Sequence, residues 1–159
     1  MSTTVPLLAA NQVFPQANIV AGVLVLIVGF GFHFLGQLYS VLNLEGAIKL
    51  GIQEEDMPEQ YRAYELGIAV ADVLLGWTYA IAGVGLIADA PWAYVWAWLP
   101  AVALTYHSLS HWFWTRNQRR TGYDRTFTRW PARHIWLVAN LGTGLLTIAV
   151  ASSQIVVTS

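Results

Sequence analysis

The stretch ANIVAGVLVLIVGFGFHFLGQLYSVL, residues 17–42, decides the fold class. It contains no Asp, Glu, Lys or Arg, and at about 1.5 Å of rise per residue a helix of this length crosses a hydrocarbon core of about 30 Å. The whole 159-residue chain has the same character, because 56% of it is apolar and only 11% is charged, where soluble proteins have roughly a quarter charged. We therefore predict an integral membrane protein that begins with a transmembrane helix over 17–42.

Later apolar runs predict three more transmembrane helices, at 62–88, 91–115 and 134–157. A short turn at 89–91 joins the second and third helices, and Pro100 is expected to kink the third. The polar segments between the helices are loops, at 43–61 and 116–133. The predicted fold is all-α, a single domain over 1–159 that forms a four-helix transmembrane bundle with up-down antiparallel topology.

Basic residues are confined to one side of this topology. All eight Lys and Arg residues lie in the two loops or at their edges, and basic residues mark cytoplasmic loops. Both loops are therefore expected to be cytoplasmic and both termini external. The second loop holds six arginines against a single acid, Asp124, which predicts contact with anionic lipid headgroups. No basic region precedes the first helix, so no cleaved signal peptide is expected, and the charge pattern predicts no nucleic-acid partner.

Polar residues inside the apolar runs fall at matching depths when helical rise is counted from the cytoplasmic boundary. The deeper layer contains His33, Asp72, His107 and Asn140. The shallower layer contains Gln37, Glu65, His111 and His134, although His134 is rotated away from Asn140 on its helix. Tyr79 shares a stripe with Asp72 and Glu65 because the three are seven residues apart. We expect these groups to converge in one buried polar site.

The residue types in this site indicate metal or redox chemistry. The chain has no cysteine, which excludes thiolate ligands and disulfides, so histidine and carboxylate remain. Ligands for zinc, iron or manganese in a helix bundle are expected from five residues, His33, Glu65, Asp72, His107 and His111. Haem b on His33 and His107 is a second option, with Tyr79 and Asn140 beside the cofactor. In an enzyme, the candidate catalytic residues are His107, Asp72 and Glu65.

Other functions use the same residues differently. Asp72 and His107 are also the types of residue that form a proton or ion relay, which would open through Glu65 and His111. A lipid or a quinone-like molecule between the helices is another option, and so is a non-enzymatic subunit in which these groups are only interhelical contacts. Whether the chain is an enzyme stays open. If it is one, a membrane oxidoreductase or a metal-dependent enzyme that acts on a lipophilic substrate is expected.

The second helix carries a family resemblance. The segment YELGIAVAD at 64–72, followed by LLG at 74–76, resembles the small four-helix membrane proteins of the DoxX-like group. The resemblance covers the four-span layout and this one helix, whereas the histidines of the third helix and Asp72 depart from the pattern. It implies a multi-pass protein of the bacterial inner membrane that is linked to redox or aromatic metabolism, and it assigns no residue roles. Glycine stripes and eight tryptophans are compatible with a homo-oligomer.

Overall fold

The computed structural model describes residues 13–55, 58–120 and 130–154, and all regular structure within these ranges is helical. The predicted all-α class is therefore confirmed. The chain begins with a continuous helical stretch made of α1 (Ala17–Leu24), a π-helical segment (Val25–Phe34) and α2 (Leu35–Leu42). The remaining helices are α3 (Leu44–Lys49), α4 (Glu59–Ile87), α5 (Ala93–Trp96), α6 (Trp98–Arg120) and α7 (Trp130–Ser152).

The helix bounds differ from the expected ones mainly next to the second loop. The expected loop at 116–133 is partly helical, because α6 continues to Arg120 and α7 already begins at Trp130. Arginine and glutamine are good helix formers, so the helix extends past its apolar part. Residues 121–129 of that loop, and the expected end of the last helix at 157, lie outside the described ranges.

The predicted kink in the third apolar run is a break between two helices. The helix α5 ends at Trp96, and α6 begins two residues later, with Pro100 in its first turn. A proline ring collides with the carbonyl group four residues before it, which here belongs to Trp96. The proline therefore ends one helix and is tolerated in the first turn of the next.

Three helical stretches within the described ranges are long and apolar enough to cross a membrane, namely Ala17–Leu42, Glu59–Ile87 and Ala132–Ser152. Their length and composition indicate a membrane protein. The helix α6 is 23 residues long, as is α7, but it is not among the three. Four polar residues lower its hydropathy, namely His107, Ser108, Ser110 and His111. Two of them, His107 and His111, are predicted site residues, so the expected site itself makes α6 less typical of a transmembrane helix.

The helices pack tightly at one end, which we call the closed end. Small and aliphatic side chains from four helices are fully buried there, including Ala17, Leu86, Ala93 and Val150. The backbones approach closely, since a methyl group on Gly22 would lie 2.7 Å from the Gly83 carbonyl oxygen. At the other end, which we call the open end, α2 packs on α3 and α4, while α7 packs on α6 and the π-helical segment. A gap between α2 and α7 results.

Candidate functional site

Three helical stretches bring His33, Asp72 and His107 together, and we call these residues the deep cluster. His33 is 1% exposed and extends from the end of the π-helical segment. Its Nε2 lies 3.2 Å from Asp72 Oδ2 on α4. Each of the three side chains offers a ligand atom, and these atoms all lie within 4.8 Å of one another. Imidazole and carboxylate groups at this separation are a donor set for a transition metal ion.

The π-helix is part of how His33 reaches this position. Its turns are wider than α-helical turns, since N–H groups bond to carbonyls five residues back, as Leu35 does to Phe30. Such segments often occur at functional sites. Gly29 within it packs against the ring of Tyr79, and a methyl group there would lie 3.1 Å from Tyr79 Cγ. The helix therefore passes close to α4 just before it presents His33.

Gln37 completes the surroundings of Asp72. Its Nε2 donates to Asp72 Oδ2 at 3.3 Å, and His33 Nε2 lies 3.2 Å from the same carboxylate oxygen. A neutral histidine has one donor nitrogen and one acceptor nitrogen, and if Nε2 donates to Asp72, Nδ1 keeps a lone pair. This buried Nδ1 and the buried Gln37 Oε1 have no hydrogen-bond partner among the described residues. Buried polar atoms of this kind normally have partners, so two acceptor atoms at or beside the deep cluster are unused.

The contact between His33 and His107 excludes one predicted cofactor. Their ring centroids are 4.4 Å apart and the rings are perpendicular at 88°. Two axial histidines must face each other across the plane of a haem iron, and rings in direct contact leave no space for that plane. Haem b on His33 and His107 therefore does not fit, whereas a single metal ion needs no such separation.

A second group of polar residues lies next to the deep cluster. It consists of Tyr61, Glu65, His111 and Arg133, and we call it the outer cluster. His111 is one helical turn beyond His107, with ring centroids 4.2 Å apart. Its Nδ1 lies 3.8 Å from Glu65 Oε1 and 3.1 Å from an Arg133 guanidinium nitrogen. Tyr61 donates its hydroxyl group to Glu65. The outer cluster thus joins α4, α6 and α7 through buried polar contacts.

An aromatic pair covers the outer cluster. Tyr61 stacks on Trp114, with ring centroids 3.8 Å apart and an angle of 15°. The guanidinium carbon of Arg133 lies 5.9 Å from the centre of the Trp114 ring, a distance at which a cation is attracted to an aromatic face. Arg133 is thus held by an aromatic ring as well as by His111.

A cavity of about 270 Å³ connects the two clusters. The polar part of its lining comes mainly from His33, Gln37, Glu65, His107, His111 and Arg133, and the apolar part from Phe32, Ile52, Trp136 and Leu137. Residues 51–54, which precede α4, form a further wall. The indole of Trp136 lies nearly parallel to the His33 ring, with centroids 5.8 Å apart. Two of the three candidate ligand residues, His33 and His107, therefore border a partly apolar chamber.

The structure divides the predicted polar residues between the deep cluster and the outer cluster and leaves Tyr79, Asn140 and His134 outside both. His33, Asp72 and His107 form the deep cluster, while Glu65 and His111 belong to the outer cluster and are not part of the three-residue donor set. Tyr79 is buried edge-on to His33 at 5.8 Å. Asn140 is fully buried, donates to the Trp136 carbonyl group, and is not among the residues that line the cavity. His134 contacts the Trp112 ring instead, with centroids 5.4 Å apart.

Sequence reasoning missed Arg133, Trp136 and Tyr61. Arg133 was grouped with the arginines of the second loop, yet it lines the cavity. The sequence offered one indication, because Arg133 is seven residues before Asn140 and such residues share one face of a helix, although Asn140 itself does not line the cavity. Trp136 and Tyr61 had no such signal, since aromatic residues at the ends of apolar runs are also typical of membrane interfaces.

Comparison with known proteins found no matching family model, no matching curated protein and no matching solved structure. The resemblance to the DoxX-like group stays a prediction.

Proposed function

We propose that this chain is a membrane-embedded metal-dependent protein whose ion is bound by His33, Asp72 and His107. One observation carries the proposal, namely the convergence of three ligand atoms from three helical stretches to within 4.8 Å of one another. Ionisable groups inside a membrane cost about 2.5 to 3.5 kcal/mol on insertion scales. A bound ion gives these buried groups a common partner and offsets that cost.

The donor set favours certain ions. Two imidazoles and one carboxylate bind zinc in catalytic sites and ferrous iron in oxygenases, and both kinds of site keep open positions for water or substrate. Manganese shares the preference for carboxylate oxygen. Gln37 supports Asp72 from outside the donor set, as hydrogen-bond partners of metal ligands commonly do.

The competing function uses the same residues without an ion. The 3.2 Å contact between His33 and Asp72 is itself a satisfactory interhelical hydrogen bond. In that case the protein would be a non-enzymatic subunit, and the two clusters would be polar contacts or a path for protons.

Metal titration of the detergent-purified chain separates the two. We expect about one divalent ion per chain, and a loss of affinity of at least about 100-fold in His107→Gln, since even outer-shell changes cost 10- to 100-fold. His134→Gln is the matched control, because it removes a histidine outside the deep cluster. Wild-type protein that binds no zinc, ferrous iron or manganese would refute the proposal, and so would equal affinity in the two variants.

We also infer that α6 is the fourth span and that the protein is multi-pass in a bacterial inner membrane, with both termini external. The support is the confinement of Lys and Arg to one side of the helices. The cysteine-free chain allows a direct test with single cysteines. In intact cells an impermeant maleimide should label Ser153→Cys and leave Lys49→Cys unlabelled until the cells are opened. Labelling of Lys49→Cys alone in intact cells would reverse the orientation, and equal labelling of both would rule out four spans.

A further inference from the structure

We propose that the cavity binds a lipophilic molecule with an uncharged, oxygen-containing head group, which enters from the membrane between α2 and α7. The inference rests on the proposed function, because the bound ion is one of the charges around the cavity that determine which head group fits. It concerns the occupant of the cavity and its route, neither of which follows from metal binding alone.

The route is indicated by the walls of the cavity. Gly36 and Gln37 of α2 face Ala132 and Arg133 of α7 across it. Phe32 forms part of the same wall and is 65% exposed, so the cavity reaches the surface that faces lipid in a membrane-spanning arrangement. Gly36 has no side chain, and a methyl group there would point toward Ile52 of the wall formed by residues 51–54.

The volume sets the size of the part that enters. About 270 Å³ is just below the usual range of roughly 300 to 1,000 Å³ for small-molecule sites. A head group and a short piece of chain fill this space. The remainder of a long molecule must then leave through the gap beside Phe32 and lie in the bilayer.

The charges around the cavity favour a neutral head group. Among the described residues of the two clusters and the cavity wall, the carboxylates are Asp72, Glu65 and Glu54, and the basic side chain is Arg133. Together with a divalent ion their formal charges cancel. A charged head group would add an uncompensated charge in a site of low dielectric, which is costly. A hydroxyl or carbonyl oxygen adds none, and it can accept from Arg133 or fill an open position on the ion.

The test uses amphiphiles that differ only in the head group. Native mass spectrometry of the full chain loaded with zinc is carried out with 1-dodecanol, dodecanoate and dodecylammonium. We expect dodecanol to be retained at least about tenfold more tightly than either charged probe, because burial of an unpaired charge is costly. Retention of dodecanoate at equal or higher affinity would overturn the inference.

Two glycine variants locate the binding. A methyl group on Gly36 would meet only Ile52 at 3.7 Å, an ordinary contact, whereas one on Gly142 would meet nothing within 4 Å. The first side-chain atom of a leucine therefore fits at both positions without a backbone collision, but only Gly36 lines the cavity. Gly36→Leu should lose dodecanol and keep zinc, while Gly142→Leu should keep both. Equal retention of dodecanol by the two variants would place the molecule elsewhere and overturn the inference.

Zinc content, measured on the same samples, keeps the two proposals apart. Protein that binds zinc but not dodecanol overturns this inference and leaves the metal site standing. Protein that binds no zinc and, in the metal titration, no ferrous iron or manganese, but loses dodecanol in Gly36→Leu, overturns the proposed function, and it supports the cavity as the site of the lipophilic molecule.

Discussion

The closed end and the open end of the molecule are built from the same helices in opposite ways. At the closed end, alanine and glycine let the first helical stretch and α4 approach until backbone atoms nearly touch, as Gly22 and Gly83 do. At the open end, α2 still packs on α4, but histidine, glutamine and aromatic side chains around a cavity separate it from α7. Membrane helices associate largely through packing, so the closed end holds the fold while the open end is free to carry a site.

The first helical stretch contains Gly22 at the closed end and Gly36 at the open end. Substitution by alanine should change the free energy of unfolding differently at the two positions. In Gly22→Ala the new methyl group would lie 2.7 Å from the Gly83 carbonyl oxygen and 3.0 Å from the Ile87 amide nitrogen. Backbone atoms cannot move aside, so the helices must separate, and we expect the free energy of unfolding to fall by about 3 kcal/mol. Denaturant titration in mixed micelles measures this quantity.

Gly36→Ala is the matched variant at the open end. Its methyl group would meet only Ile52, at 3.7 Å, and alanine favours a helix over glycine by up to about 1 kcal/mol. The stability should therefore stay the same or rise slightly. A loss of stability in Gly36→Ala as large as that in Gly22→Ala would show that the two ends are equally close-packed.

The difference between the ends explains which features of the fold and of the candidate site the sequence predicts. Hydropathy and length predict the helices, because membrane-spanning segments must satisfy every backbone hydrogen bond internally. Counting helical rise predicts one layer of His33, Asp72, His107 and Asn140. The ligand atoms of the first three lie within 4.8 Å of one another in the structure, whereas Asn140 does not line the cavity. Depth along straight helices is a simple function of position, so this part of the site was accessible from the sequence.

The rest of the site depends on features that have no hydropathy signature. The π-helical segment Val25–Phe34 changes the rotation of the helix just before His33. The hydropathy pattern of an apolar run is the same whether its turns are α-helical or π-helical. The cavity depends on the divergence of α2 from α7, which no local pattern reports. Arg133 was assigned to a loop because charged residues usually end a span, yet α7 begins three residues earlier and carries it into the site.

The outer cluster allows a smaller test of the open end. Tyr61→Phe removes the hydroxyl group that donates to Glu65 and keeps the aromatic stack on Trp114. A buried acceptor then loses a partner, which should cost about 1 kcal/mol of unfolding free energy. The control is Tyr64→Phe, since Tyr64 is 60% exposed and surface changes usually stay within about 0.5 kcal/mol. Equal effects of the two variants would mean that the hydroxyl group of Tyr61 contributes nothing to the fold.

The smallest expected loss of stability is that of Ser108→Ala, which can be compared with the loss of the same kind of hydrogen bond at the closed end. Ser108 donates to the Leu137 carbonyl group at the open end, and Asn18 donates to the Leu86 carbonyl group at the closed end, each at 3.1 Å and both buried. Ser108→Ala should cost about 0.6 kcal/mol, the average for interhelical hydrogen bonds in a membrane protein. Leu137 borders the cavity, so water can reach the carbonyl group that loses its donor. Asn18→Ala should cost more, about 1 to 2 kcal/mol, because the close-packed end has no space for water to replace the lost donor, and the Leu86 carbonyl group is left with its bond from the Asp89 amide. If unfolding titrations instead gave Ser108→Ala the larger loss, the open end would be as dry and as tightly packed as the closed end, and the route proposed for a lipophilic molecule would lose its basis.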